Sequence, residues 1–226
     1  MLNNSNKIHV YFIPGLATGI HIFEHIKLPE NTFEIHFLEW LIPKTYNESI
    51  VHYAKRMSDN VIHQNSILVG VSFGGILAQE ISKIIPIKKV ILISSIKHHN
   101  EMPKRLNWIL KTHFYKLFPS KTLASFNKDS KYAINDNLKR KAKLIDKYLQ
   151  VRDEKYLNWA IFNVLNWQQN KYLRNTIHIH GSDDIIFPIK YIQNCIVIEG
   201  GTHEMILTKS KTINNILQEV ILKNED

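Results

Sequence analysis

Ser72 stands in the run Val69-Gly70-Val71-Ser72-Phe73-Gly74-Gly75, with a glycine two places to either side of it. The apolar run Ile67-Leu68-Val69 leads in, and the helical pattern Ile76, Leu77, Glu80, Ile81, Ile84 leads out. The serine therefore falls where a strand turns at once into a helix. Such a bend crowds its own backbone, which is why small residues are needed at Gly70 and Gly74. A hydroxyl lifted clear of the sheet in this way is placed to attack a carbonyl. The N–H of Phe73, at the start of the new helix, points at the attacked group and carries the positive end of the helix dipole. That is half of an oxyanion hole. The plainer reading is a glycine-rich turn that caps a helix, and the strand–turn–helix context favours the first.

A serine nucleophile needs a base, and a histidine base needs an acceptor that fixes its tautomer. Twelve histidines are available. His9, His36, His178 and His180 fall in strand patterns, and His52 and His63 on a helical one. His98-His99 has no carboxylate or cysteine at ligand spacing and reads as solvated surface. His203 differs: it follows Glu199-Gly200-Gly201-Thr202 directly after the last strand pattern, at the same sheet edge as Ser72. Asp183 and Asp184 follow the fifth strand pattern at that edge, and either is a candidate acceptor.

The elements that must position these groups read as follows. Strand patterns cover residues 7–13, 33–38, 66–71, 89–94, 176–180 and 195–199. A short helix fits 19–26, a longer one 47–63 with Ile50, Tyr53, Ala54, Met57 and Val61 on one stripe, and a third follows Ser72 and closes at Pro86. Strands alternating with helices mean an α/β fold with a mainly parallel, doubly wound sheet. Residues 96–174 carry helical stripes and no convincing strand: Leu106, Ile109, Leu110, Phe114 and Leu117, then Leu138, Ala142, Ile145 and Leu149. A last helix, capped by Asp153, has Leu157, Ala160, Ile161, Val164 and Leu165 on one side and Trp159, Phe162 and Trp167 on another. A helix apolar on two sides lies between two layers. The expected organisation is thus a core in two parts, 1–95 and 175–226, with 96–174 inserted as a helical cap over the carboxyl ends of the strands.

Composition narrows the function classes. A chain of 226 residues buries one sizeable core. Cys195 is its single cysteine, so no disulfide framework or cysteine metal site forms within it. No apolar run approaches membrane-spanning length and the first residues are polar, so a cytoplasmic protein with no membrane association is expected. The formal charge of +9 is uneven: residues 96–174 hold 17 Lys+Arg against 6 Asp+Glu, a net +11, leaving −2 for the rest. No aromatic platform or nucleic-acid motif accompanies that charge, so a nucleic-acid partner is not expected. A solvated basic face is the simpler account, and attraction of an acidic acyl carrier the alternative.

Three segments together resemble the α/β-hydrolase-fold family: Gly70-Val71-Ser72-Phe73-Gly74, His180-Gly181-Ser182-Asp183-Asp184-Ile185-Ile186-Phe187-Pro188, and Gly200-Gly201-Thr202-His203. They stand in the family's order of nucleophile, acid and histidine. The resemblance implies Asp184 as the acid, three places after Gly181 and four before Pro188, with Asp183 as the lesser candidate. It also implies a strand order 2-1-3-4-5-6, a second oxyanion donor from the N–H of Leu16, and no metal or organic cofactor. Where members often carry His-Gly, this chain has Pro14-Gly15-Leu16, keeping only the glycine. The stretch before residue 7 has no room for two additional opening strands, so six are expected. The implied activity is serine-hydrolase cleavage of an ester or thioester. Acyl transfer, release from a carrier protein, and a non-catalytic binding module are the alternatives.

Overall fold

Each of the six strand patterns becomes a strand in the computed structural model, which describes residues 7–103, 105 and 147–223. These are β1 (Ile8–Ile13), β2 (Phe33–Phe37), β3 (Ile67–Val71), β4 (Lys89–Ile93), β5 (Thr176–Gly181) and β6 (Ile196–Ile198). All pair in parallel, in the order β2-β1-β3-β4-β5-β6 that the family resemblance implies. Both faces are covered, so the central strands are apolar on both sides. Tyr11, Ile13, Leu68, Val90 and Leu92 face one core layer, and Val10, Phe12, Val69, Ile91, Ile93 and Ile179 face the other.

The first layer is built from α1 (Ile50–Ser58), α2 (Phe73–Ser82) and α3 (Glu154–Asn166). The second is built from α4 (Met205–Thr208), α5 (Ser210–Leu222) and a single 3₁₀ turn, Ile20–Phe23. Because β1 lies between β2 and β3, the winding direction reverses there, and a crevice opens at the carboxyl ends of β1 and β3.

The helices are shorter than the sequence patterns suggest. Ser49 caps α1, its side chain accepting from the His52 N–H at 3.2 Å, but the helix stops at Ser58 and leaves Val61 and His63 on the loop into β3. The helix after Ser72 ends at Ser82, before Pro86 is reached. Within residues 19–26 only the 3₁₀ turn Ile20–Phe23 forms.

Asp153 caps α3, accepting from the Tyr156 N–H at 2.8 Å. Tyr156, Leu157, Trp159, Ala160 and Leu165 are buried, whereas Phe162 is 48% exposed, so the second apolar side is only partly covered. Trp159 donates to the Glu48 carbonyl at 2.7 Å, and Trp167, just past the helix, to Glu80 at 2.8 Å. The segment from Asp153 to Trp167 is thereby fastened onto the loop that enters α1 and onto α2. The stripes at 106–117 and 138–146, with the basic residues Lys139, Arg140, Lys141 and Lys143, lie outside the described residues.

Candidate active site

The bend after β3 is held by contact rather than by flexibility. A Cβ on Gly70 would overlap the Gly74 carbonyl, and one on Gly74 would overlap the carbonyls of Ile13 and Pro14. Ser72 is left at φ 52°, ψ −117°, a left-handed backbone uncommon for a residue with a side chain. Its surroundings hold it there: the Ser72 N–H donates to Ile93 O at 2.9 Å, and its carbonyl accepts from the Gly75 N–H at 3.0 Å and from Ser95 Oγ at 2.7 Å. Gly74→Ala should therefore cost about 1–3 kcal/mol or more through overpacking against fixed backbone. Calorimetry should show a fall in Tm of roughly 2–4 °C for each kcal/mol.

Ser72 Oγ lies 3.0 Å from His203 Nε2, and His203 Nδ1 lies 2.8 Å from Asp184 Oδ2. The Asp184 side chain is fully buried, and its other oxygen accepts from the N–H groups of Ile186 and Phe187 at 2.8 and 2.9 Å. Burial pushes this carboxyl up, but the hydrogen bond and charge of His203, with the Phe187 N–H, outweigh it and hold it below the usual carboxylate range. Asp183 is exposed and accepts from Ser182 Oγ at 2.8 Å. Of the two acids, the structure brings Asp184 to His203. The two loops meet because Gly181 and Gly201 pack backbone to backbone, and Gly200, at φ 63°, turns the chain after β6.

The Pro14-Gly15-Leu16 loop abuts the serine: a Cβ on Gly15 would lie 3.6 Å from Ser72 Cβ. The Gly15 carbonyl is fastened by three donors, Thr18 N–H at 3.1 Å, Thr18 Oγ1 at 2.8 Å and Trp40 Nε1 at 3.1 Å. A trans peptide points its N–H opposite its C=O, so fixing this carbonyl also fixes the direction of the Leu16 N–H. That N–H makes no backbone hydrogen bond among the described residues. The N–H of Phe73, first residue of α2, has no acceptor within the helix. Trp40 stacks on the Phe73 ring at 5.2 Å, and Trp159 meets that ring edge-on at 5.8 Å. An aromatic wall thus backs the serine.

His180 is a neighbour of the acid that its strand pattern concealed. It is fully buried, with Nε2 at 2.7 Å from Phe187 O and 3.5 Å from Asp184 Oδ2, and Nδ1 at 3.1 Å from His178 Nε2. Burial lowers its pKa, against the Phe187 carbonyl and the Asp184 charge, which raise it. A neutral ring that donates Nε2–H to Phe187 O braces the loop carrying Asp184. Its position immediately before Gly181 was the available signal.

Comparison with known proteins places the chain among others of this architecture. The sequence profile of a family described as "Uncharacterised protein family (UPF0227)" matches residues 33–154. No curated protein matches the chain in sequence. A bromoperoxidase from Bacillus anthracis superposes with TM-score 0.69 at 18% identity, over 96% of this chain and 93% of that one. A lipase-esterase related protein from Clostridium acetobutylicum gives 0.64 at 14% identity, over 96% of both chains. An epoxide hydrolase from Bacillus megaterium gives 0.61 at 15% identity, over 96% and 94%. At such identities the likeness establishes the α/β-hydrolase fold, and the reaction must be argued from the site's own residues.

Proposed function

Because the chain belongs to the UPF0227 family and folds as an α/β hydrolase, we propose that it is a serine hydrolase cleaving a carboxylic ester or thioester through an acyl-enzyme. The observation that carries this reading is the continuous relay from Ser72 through His203 to buried Asp184, with links of 3.0 and 2.8 Å. His203 Nε2 takes the Ser72 proton as Oγ attacks the carbonyl carbon, and Asp184 stays ionised, holding Nδ1–H. The tetrahedral oxyanion is met by the N–H groups of Phe73 and Leu16, and loss of one such donor typically costs about 10²–10³ in kcat. The imidazolium then returns its proton to the departing alkoxide or thiolate. Water, deprotonated by the same histidine, releases the acid and frees Ser72.

The half-buried Trp40 ring, backed by buried Phe73, suits an apolar acyl or alcohol group beside the serine. A panel of p-nitrophenyl esters and acyl thioesters of graded chain length tests the reading. Turnover should peak at one chain length and fall to either side as the apolar space is under- or overfilled. Folded protein that turns over no member would favour a binding module instead. An acyl group on an acidic carrier belongs in the same panel. If the net +11 of residues 96–174 is a solvated face, carrier-bound and small neutral esters should show the same shallow salt dependence, and only steering of the carrier would make its kcat/KM alone fall steeply with salt.

A further inference from the structure

Away from Ser72, one group of side chains among the described residues is arranged to hold a metal ion: His9, His36 and His63, each offering a ring nitrogen within 4.8 Å of the others. The β1–β2 register sets His9 opposite Glu34 and Tyr11 opposite His36, so these four side chains leave one face of the sheet together. His63 arrives from the loop between α1 and β3, a placement created by the early end of α1 at Ser58. Its ring lies flat on His9, with centroids 3.6 Å apart and planes 5° from parallel. The two sets of in-plane lone pairs therefore run side by side, and ligation of a shared ion requires the His63 ring to turn about its Cβ–Cγ bond, bringing Nε2 inward.

The nitrogen separations are within the span of one small ion. His9 Nδ1 and His36 Nε2 are 3.0 Å apart, close to the ~3.3 Å edge expected of two imidazoles sharing a zinc at about 2.0–2.1 Å. The two Glu34 oxygens lie 3.8 Å from those same nitrogens. The Tyr11 hydroxyl sits 2.6 Å from His63 Nδ1 and accepts from the Ile62 N–H at 3.2 Å. That is the kind of outer hydrogen bond that orients a ligating imidazole.

A cleft of about 490 Å³ opens onto His9 and His63, with Lys7 and Lys88 also on its walls.

We propose that His9, His36 and His63, with the Glu34 carboxylate as fourth ligand, bind one zinc ion that clamps β1 and β2 to the loop entering β3. Three imidazoles and a carboxylate as donors favour zinc over harder cations, and a site closed by four protein ligands is structural rather than catalytic. It stands at the amino-terminal end of β1, remote from the loops bearing Ser72 and His203, and is independent of the hydrolase reading.

Zinc added to chelator-stripped protein, followed by gel filtration and metal analysis, tests the site. Wild type should retain one zinc per chain, and its Tm should rise by roughly 5–10 °C at a hundredfold excess over Kd. Cobalt in its place should give the intense visible bands of a four-coordinate site. His9→Gln combined with His36→Gln should abolish retention, whereas His98→Gln with His99→Gln, at the other histidine pair, should leave it intact. Glu34→Gln, at an exposed position that folding tolerates, should weaken zinc at least about tenfold. Wild type that retains no zinc, six-coordinate cobalt spectra, or a double variant that keeps its zinc would overturn the proposal. The wild-type measurements decide it even if the double variant does not fold.

Discussion

Asp184→Asn should lower kcat by about 10⁴-fold on the best ester, the loss known for an established triad, while Asp183→Asn leaves it nearly unchanged. The cause lies in which atoms the two oxygens of Asp184 meet. Oδ1 accepts from two backbone N–H groups, Ile186 and Phe187, so an asparagine keeps its carbonyl oxygen there. Its amide nitrogen then faces His203 Nδ1, donates to it, and moves the ring proton to Nε2. A protonated Nε2 cannot take the Ser72 proton. Asp183 lies on the surface against Ser182 and has no such influence. Unchanged thermal unfolding with lost turnover would mark the Asp184 effect as tautomeric rather than structural, and equal losses in both variants would contradict the assignment.

Ser72→Ala should be the most damaging substitution, at about 10⁶-fold in kcat, the scale seen when a serine nucleophile is removed from such a unit. Residual catalysis of about 10³–10⁴ over water should survive from the oxyanion donors and binding. Alanine occupies the φ 52° position no worse than serine, and the Ser72 N–H and carbonyl bonds to Ile93, Gly75 and Ser95 are backbone features that remain. The variant should therefore fold, give an unaltered circular dichroism spectrum, and still bind ester. Steady-state assays beside the same measurement on Ser182→Ala, which should keep most activity, separate nucleophile from bystander.

Much of this arrangement was legible in the sequence because it depends on local patterns. Apolar runs bounded by turn residues placed all six strands to within a residue or two, the alternation of strands and helices implied that they run parallel, and their order followed from the family resemblance. The elbow could be read from Gly70 and Gly74, since only glycine fits where backbone meets backbone. Helix ends were less legible. No glycine or proline marks the end of α1 at Ser58, and the apolar stripe continues to Val61 although the helix does not. What depends on register between distant segments was not legible at all. His9, His36 and His63 each looked like an ordinary strand or helix residue, and only the pairing of β1 with β2 and the loop after α1 bring them together. His180 likewise reads as a strand residue until the chain folds back to place the Phe187 carbonyl against it.

The central claim is that Ser72 is a nucleophile activated by His203, and labelling with a fluorophosphonate followed by peptide mass spectrometry tests it most directly. The reagent phosphonylates a serine oxygen, with fluoride leaving, only where a base removes the hydroxyl proton and N–H donors stabilise the developing negative charge, which among the described residues is the setting of Ser72. A single adduct on Ser72 in the folded protein, absent after heat unfolding and absent in His203→Ala, is the predicted result. An adduct on Ser94 or Ser182, or none on the folded protein, would contradict the account.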